Sequence, residues 1–198
     1  MSYDDFRVTG SITTGQSLSG RVVVKEIEVT KLDLWREARG TLAGKHTTML
    51  VNNRLWMSDT QAEYRDHWEP IHKAHGRVLV NGLGLGCFLK AILAKDTVTH
   101  VDVVEIDAEV VETMKALAPW VNDPRVTIHI ADAYKQTKAW PKGTTWDVAW
   151  HDIWADICTE NLKTMAVLNR SYGRRVGWQG CWSQHDCKRI ARERGPWW

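Results

Sequence analysis

The stretch VLVNGLGLGCF (residues 78–88) decides the fold, because an apolar run of strand length passes directly into alternating glycines and then into a helical pattern. The glycines are Gly82, Gly84 and Gly86. Glycine permits a tight turn and lets a ligand approach the backbone closely. A helix that starts behind such a loop presents unpaired N–H groups and the positive end of its dipole. Glycines at this spacing also occur in ordinary turns, so the flanking sequence must show whether they form a ligand-binding loop.

Strand and helix patterns alternate on the C-terminal side of this loop. Apolar runs at 77–82, 99–107, 125–132 and 145–152 predict four strands, and the segments between them carry apolar residues at helical spacing. Residues 174–182 are a candidate fifth strand before a terminal helical stretch. Short connections of this kind predict a Rossmann-like, doubly wound and mostly parallel α/β sheet. The C-terminal part is short for such a sheet.

The sequence before the loop predicts a separate N-terminal part. Residues 1–20 are rich in Ser, Thr and Gly and predict a flexible or loosely docked start. Residues 21–29 alternate as a strand, and 48–59 predict a small β-hairpin turning at Asn52-Asn53. A helix follows, capped by Ser58, Asp59 or Thr60 and disturbed at Pro70. We therefore divide the chain into 1–20, 21–75 and 76–198.

The spacing of the glycines excludes two common nucleotide sites. A dinucleotide fingerprint requires a third glycine at position 87, which is Cys87 here. A triphosphate-binding loop requires a Lys-Ser/Thr pair after the glycines, and the sequence has none there. The pattern suits a nucleoside ligand that carries no pyrophosphate.

Two acidic residues at strand ends are candidates for holding that nucleoside. Glu105 ends the second strand, where an acid points into the crevice and accepts hydrogen bonds from both ribose hydroxyls. Asp132 ends the third strand, where it can accept from an adenine amino group while the N–H of Ala133 meets a ring nitrogen. Asp132 is also a good helix cap, and the two roles are compatible.

These features together resemble the class I S-adenosylmethionine-dependent methyltransferase superfamily. Within it, the chain is most similar to the spermidine synthases, which are aminopropyltransferases of polyamine synthesis. The resemblance rests on the glycine loop, Glu105, the NDPRV turn (122–126) and Asp132, and it extends over about residues 48–156. It also includes Tyr64 in a Y-x-E-like helix, and an aspartate pair in the fourth strand formed by Asp147 and Asp152.

The resemblance implies a ligand and a set of binding residues. The ligand is S-adenosylmethionine or its decarboxylated form, and the reacting centre lies beside Asp152. The residues that would hold the ligand are Gly82, Gly84, Gly86, Glu105 and Asp132. The sequence also departs from these families, since Leu85 and Asn81 stand where one or the other carries an acid that helps to hold the ligand's amino group. After Asp152 the next acid, Asp156, is one residue late and is not followed by proline.

The fourth strand predicts the catalytic residue. Transfer from a sulfonium requires mainly that nucleophile and carbon be held in line, sometimes with removal of a proton. Asp152 can orient an amine or act as base, or else cap a helix. His151 points to the other face of an extended strand and is expected to be a core histidine. Tyr64 and Trp154 are candidate substrate residues, Trp154 because an indole can stack on a flat substrate.

From the sequence we favour a methyltransferase of unknown acceptor. The first alternative is an aminopropyltransferase that uses decarboxylated S-adenosylmethionine. The second is a non-catalytic module that binds the cofactor or nucleic acid. From residue 161 onward the chain has eight basic and two acidic residues, so a basic C-terminal tail could contact nucleic acid, although a solvated helix face is the simpler explanation.

The composition, with 43% hydrophobic and 25% charged residues, indicates a globular protein. No apolar run approaches membrane-spanning length, and the N-terminus does not resemble a signal peptide, so we expect a cytoplasmic protein without a membrane partner. The four cysteines form no CxxC pair. Cys181, His185 and Cys187 lack a fourth ligand at suitable spacing, so we expect no metal. The sequence leaves a homodimer open.

Overall fold

The structure, a computed structural model, describes residues 2–30 and 42–194. Its N-terminal part is an antiparallel sheet of four strands in the order β1-β2-β3-β4. The strands are β1 (Gly15–Gln16), β2 (Val22–Val29), β3 (Gly44–Val51) and β4 (Arg54–Ser58). The predicted hairpin is β3–β4, and Asn52 and Asn53 turn it with φ of 52° and 60°, as a two-residue hairpin loop requires. The extension is thus a sheet rather than a hairpin alone.

The first residues are docked, which corrects the expectation of a flexible or loosely attached start. A short helix, α1 (Tyr3–Phe6), leads into the chain, and the side chains of Phe6 and Val8 are fully buried in the main core. The buried carboxylate of Asp59 accepts hydrogen bonds from the backbone N–H groups of Val8, Thr9 and Thr47. Asp59 therefore attaches this segment to the sheet instead of capping the next helix.

Helix α2 (Gln61–Lys73) connects the N-terminal sheet to the strand that precedes the glycine loop. Its N-cap is Thr60, without a side-chain cap bond. Pro70, where the sequence predicted a disturbance, lies inside the last turn of α2, and its carbonyl accepts from the N–H of Ala74. The apolar side of α2 packs through Ile71 into the core.

The C-terminal part is a parallel sheet of five strands in the order β7-β6-β5-β8-β9. The strands are β5 (Gly76–Asn81), β6 (Val98–Glu105), β7 (Val126–Ile130), β8 (Trp146–His151) and β9 (Val176–Cys181). The strand order reverses between β5 and β8, so the sheet is doubly wound as predicted. In such sheets ligands bind outside the carboxyl ends of the strands at that reversal.

Helices cover both faces of this sheet. The helices that follow the strands are α3 (Cys87–Leu93), α4 (Ala108–Leu117), α5 (Ala133–Ala139), α6 (Asn161–Tyr172) and α7 (Gln184–Arg194). The larger core lies between the sheet and α2, α3 and α4, and a smaller core lies under α5 and α6 around Leu79, Trp146 and Tyr172. Among the described helices none is long and apolar enough to cross a bilayer.

Candidate active site

A cavity of about 460 Å³ opens at the carboxyl ends of the parallel strands, between them and the β3–β4 hairpin. Four carboxylates line it, from Glu63 on α2, Glu105 on β6, Asp132 after β7 and Asp152 after β8. The described residues that line it include no lysine, arginine or histidine. We call this cavity the crevice. The described lining of the crevice is therefore acidic.

The glycine loop forms one wall of the crevice with two of its three glycines. Gly82 and Gly84 line the cavity with φ of 100° and 49°. A Cβ on Gly82 would lie 2.0 Å from the carbonyl oxygen of Asp152, so only glycine lets the two loops meet. Gly86 does not line the crevice; it starts α3 with φ of 65° and accepts a hydrogen bond from Trp120 Nε1 at 3.0 Å. Its role here is to shape the loop.

Glu105 holds the glycine loop through hydrogen bonds to the backbone. Its Oε2 accepts from the N–H of Leu83 at 2.8 Å, and its Oε1 accepts from the N–H of Asp107 at 3.0 Å. Burial raises the pKa of Glu105, and these backbone donors offset only part of that effect. Each carboxylate oxygen has a second lone pair. The carboxylate can therefore accept further hydrogen bonds from a ligand's hydroxyl groups.

Asp132 and Ala133 lie on the neighbouring wall, where the sequence predicted the nucleobase. Asp132 caps α5, since its Oδ1 accepts from the N–H of Tyr134 at 2.8 Å. It nevertheless lines the crevice together with Ala133, and its Oδ2 lies 3.9 Å from the Nζ of the exposed Lys135. Ile106, directly after Glu105, also lines the crevice with 70% of its surface exposed. This wall combines an apolar surface with acceptor and donor groups.

Asp152 lies where β8 leaves the sheet. Its N–H donates to the carbonyl of Asn81 at 2.8 Å, which fixes its backbone beside the glycine loop. Its Oδ2 lies 2.9 Å from Nε2 of His67, a fully buried residue of α2. The His67 Nδ1 in turn lies 2.7 Å from the carbonyl oxygen of Glu63. The predicted catalytic aspartate therefore has a histidine partner that sequence reasoning missed.

The structure does not bring Tyr64 into the crevice. Its ring packs against Tyr3 and Phe6 of the docked N-terminal helix, at centroid distances of 5.8 and 5.6 Å. Helix geometry is the reason, because residues four apart share a face while their neighbours turn away from it. Glu63 and His67 are the pair with that spacing on the crevice side. An acid and a histidine four apart, just before a glycine loop, was the signal available in the sequence.

Aromatic side chains form the outer walls of the crevice. Trp154 lines it as predicted for a substrate residue, and its Nε1 donates to Thr164 Oγ1 at 2.9 Å, which fixes the indole. Trp56, on the hairpin, lines it with about half of its surface exposed, and Trp182 lies at the inner end. The hairpin residues were not predicted from sequence, because only the fold places them over the glycine loop.

The two positions that depart from the families are both buried. Asn81 donates through Nδ2 to Nδ1 of His151 at 2.7 Å, and His151 Nε2 donates to Gln179 Oε1 at 3.2 Å. His151 is thus a core histidine, as predicted, and burial lowers its pKa to about 4. Leu85 is fully buried, and its N–H meets the sulfur of Met57 at 3.3 Å. Neither side chain lines the crevice.

Comparison with known families gives the identity of this arrangement. The family model of the spermine/spermidine synthase domain matches residues 69–169, which is half of the chain. The chain belongs to the spermine/spermidine synthase family. The matched segment contains the glycine loop, Glu105, Asp132 and Asp152. The resemblance inferred from the sequence is therefore confirmed.

Individual family members match over larger or smaller parts of the chain. The polyamine aminopropyltransferase 2 of Bacillus anthracis is 29% identical over 184 residues, covering 76% of this chain and 50% of that protein. The spermidine synthase of Coffea arabica is 40% identical over 72 residues, covering 34% of this chain and 23% of that protein. The chain thus spans half or less of the length of these relatives.

The fold is also similar to that of a solved spermidine synthase. The crystal structure of spermidine synthase from Thermotoga maritima superposes with a TM-score of 0.51 and 19% identity, over 83% of this chain and 52% of that one. This supports the Rossmann-like fold. The preference for a methyltransferase over an aminopropyltransferase is not supported, since the family match favours the alternative.

Two predicted partners stay predictions. In the basic C-terminal helix, Arg189 is already paired with Asp186 and Glu193 at 3.3 and 3.0 Å, which leaves less free positive charge than the sequence suggests. A homodimer likewise stays a prediction. Within residues 2–30 and 42–194, no group of three or more His, Cys, Asp or Glu residues is arranged to hold a metal.

Proposed function

We propose that this protein transfers an aminopropyl group from decarboxylated S-adenosylmethionine to an amine. The observation that carries the proposal is the composition of the crevice, which is lined by four carboxylates and, among the described residues, by no cationic side chain. The names of the family's polyamine aminopropyltransferases and spermidine synthases give it independent support.

The charge of the ligand separates the decarboxylated form from S-adenosylmethionine itself. Both carry a sulfonium and an ammonium group, but only S-adenosylmethionine carries a carboxylate. Two unit charges 4 Å apart interact by about 4 kcal/mol at the effective dielectric constant of a protein surface. A carboxylate placed beside the acids of the crevice would therefore be repelled, with no lysine or arginine among the described lining residues to offset it. The decarboxylated form avoids this cost.

The nucleoside end of the ligand fits the wall predicted for it. The ribose hydroxyls would donate to Glu105, whose carboxylate is held by the N–H groups of Leu83 and Asp107. The adenine would lie on Ile106, with Asp132 accepting from its amino group and the N–H of Ala133 meeting a ring nitrogen. The bare backbone of Gly82 and Gly84 leaves room for the chain that joins sugar and sulfonium.

The reaction is a displacement at the carbon beside the sulfonium. The acceptor arrives as an ammonium and must lose one proton before its nitrogen can attack. Asp152 takes that proton, the nitrogen forms a bond to carbon, and the carbon–sulfur bond breaks with its electron pair going to sulfur. The sulfonium becomes a neutral thioether, methylthioadenosine, so the leaving group needs no acid. The acids of the crevice also attract a cationic acceptor.

The assay is incubation of the protein with decarboxylated S-adenosylmethionine and a diamine such as putrescine, with methylthioadenosine measured by mass spectrometry. We expect methylthioadenosine in step with an aminopropylated amine, and a loss of about 100-fold or more in kcat for Asp152→Asn. Asp156→Asn is the matched control, since Asp156 is an exposed acid four residues further on that does not line the crevice. A methylated product from S-adenosylmethionine, with none from the decarboxylated form, would contradict the proposal.

A further inference from the structure

The contact between His67 and Asp152 joins two parts of the chain that are 85 residues apart. His67 comes from α2, before the glycine loop, and its side chain is fully buried. Asp152 follows β8; its side chain is 22% exposed and lines the crevice. A buried histidine that touches the acid of the crevice, and not the crevice itself, acts on a ligand only through that acid.

The hydrogen bonds fix how many protons the pair holds. A carbonyl oxygen can only accept, so the His67 Nδ1, 2.7 Å from the Glu63 carbonyl, carries a proton. An ionised carboxylate also only accepts, and an unprotonated Nε2 only accepts. The 2.9 Å contact between Nε2 and Asp152 Oδ2 therefore contains one further proton, held either by the imidazolium or by the carboxylic acid.

The surroundings decide where that proton resides. Burial lowers the pKa of His67, but the hydrogen bond and charge of Asp152, with the Glu63 carbonyl, outweigh it and hold the pKa above its ordinary value. The elements packed against the ring present aromatic groups, which are Phe6 from α1, Phe88 from α3 and Trp150 from β8. The charged groups that act on it are Asp152 and Glu63. This raised pKa favours the imidazolium form of His67.

We propose that His67 is a positioning residue that keeps Asp152 ionised and holds its Oδ2, so that Oδ1 receives the proton of the acceptor amine. The inference rests on the proposed function. In the step, an N–H bond of the acceptor ammonium breaks, an O–H bond forms at Asp152 Oδ1, and the amine retains the electron pair with which it attacks. His67 keeps both of its protons throughout.

The acids around Asp152 explain why such a partner is needed. Glu63, Glu105 and Asp132 line the same cavity, and like charges that share a site favour protonation of one of them. A protonated Asp152 could not act as base. The imidazolium makes the His67–Asp152 pair neutral overall, which removes one charge from that repulsion while leaving the carboxylate able to accept a proton.

The test compares His67→Gln with His72→Gln. A glutamine amide can donate to Asp152 but does not titrate. His72 is the matched control, because it lies on the same helix and its Nδ1 makes the same contact with a carbonyl four residues earlier, at 2.7 Å, but its ring packs on the exposed Trp68 instead of a carboxylate. Both variants are assayed for methylthioadenosine release from decarboxylated S-adenosylmethionine and putrescine between pH 6 and 10.

We expect His67→Gln to lower kcat by about 10- to 100-fold with a smaller change in KM, as for a misplaced catalytic group. The wild type should lose activity at alkaline pH as His67 gives up its Nε2 proton, and this limb should be absent from His67→Gln and retained in His72→Gln. If His67→Gln keeps the kcat and alkaline limb of the control, the inference is overturned while the proposed function stands. If the wild type releases no methylthioadenosine, the proposed function itself fails.

A second measurement needs no variant of His67 and no turnover. The ring nitrogens of His67 in the ¹⁵N-labelled wild-type protein should show the chemical shifts of an imidazolium at pH 7, and Asp152→Asn should convert them to those of a neutral ring. A neutral His67 in the wild type at pH 7 would overturn the inference whatever the activity.

Discussion

Two buried carboxylates on strand β6, three residues apart, have different hydrogen-bond partners and opposite pKa shifts. Asp102 is enclosed by cationic and N–H donors: Arg77 Nε at 2.9 Å, Trp146 Nε1 at 2.8 Å and His129 Nε2 at 3.1 Å. Burial alone would raise the pKa of Asp102, but these donors outweigh it and lower the pKa. The donors to Glu105 within the described part of the chain are all backbone N–H groups, and burial raises its pKa.

The difference separates a carboxylate that serves the fold from one that is available to a ligand. The fold neutralises Asp102 with its own side chains, so the charge contributes to stability. At the carboxyl end of the strand, no cation from residues 2–30 or 42–194 forms a salt bridge with Glu105. Such an uncompensated group is costly in the empty protein and becomes favourable when a ligand supplies the hydrogen bonds.

Two buried histidines show the same division. His151 contacts the amides of Asn81 and Gln179, which carry no charge, and its pKa falls to about 4. His67 contacts Asp152, and its pKa is raised. The contributions of the two histidines to stability therefore change with pH in opposite directions. The contribution of His67 is fully present below its ordinary pKa and is lost as pH rises through the raised value, whereas that of His151 is lost at acid pH.

The largest effect should follow from removing the paired acid. Asp102→Ala leaves Arg77 without its partner and Trp146 Nε1 without its acceptor. We expect a loss of about 3 kcal/mol in the free energy of unfolding, the low end for breaking a buried ion pair, since the Arg77 side chain is 42% exposed and can be hydrated. Urea unfolding measures it. A loss below about 1 kcal/mol would show that Asp102 is not a structural charge.

A loss of stability of similar size should come from lowering the pH until His151 is protonated. The pKa of His151 lies near 4 in the folded protein against 6.5 ordinarily, so the unfolded chain binds the proton first as pH falls. Between pH 6.5 and 4 the folded state should lose about 3 kcal/mol through this residue. The free energy of unfolding of His151→Gln, measured over the same range, should fall by correspondingly less. Parallel acid losses in both proteins would contradict the assignment.

The ligand-facing acid should matter for binding. Glu105→Ala should lower the affinity for methylthioadenosine by about 1.5–3 kcal/mol, the range for hydrogen bonds to a charged group. Calorimetric titration measures it, with Asp102→Asn as the control, because that variant changes the paired acid of the same strand and should bind normally while folded. Unchanged affinity in Glu105→Ala would mean that the ribose lies elsewhere.

The smallest effect should come from Asp132, which both caps α5 and lines the crevice. Asp132→Asn keeps a good helix cap, so the free energy of unfolding should stay within about 0.5 kcal/mol of the wild type. Its amide N–H₂ would face the adenine amino group in place of an acceptor. We therefore expect a loss of about 1 kcal/mol in methylthioadenosine affinity. A drop in stability with normal affinity would make Asp132 a cap and nothing more.

The sequence predicted those parts of the molecule that depend on local pattern. The glycine loop, Glu105, the parallel sheet and the Asn52-Asn53 turn each follow from residues close together in the chain. The docking of Phe6 and Val8 was missed because their anchor, Asp59, is about fifty residues away and reads equally well as a helix cap. Composition alone made that segment look polar and loose.

The acceptor side of the crevice could not be predicted for the same physical reason. His67 reaches Asp152 only because α2 packs against the end of β8. Glu63 and Trp56 line the crevice only because α2 and the hairpin lie beside the glycine loop. Tyr64 was chosen by motif, yet one position along the helix is enough to turn it toward Tyr3. The catalytic aspartate was predictable from its strand end, but its partner was not.

The charge of the crevice is tested most directly by calorimetric titration of the purified wild-type protein with the two sulfonium nucleosides under identical conditions. The account predicts that decarboxylated S-adenosylmethionine binds at least about tenfold more tightly than S-adenosylmethionine, a difference of about 1.4 kcal/mol. Equal or tighter binding of S-adenosylmethionine would contradict it.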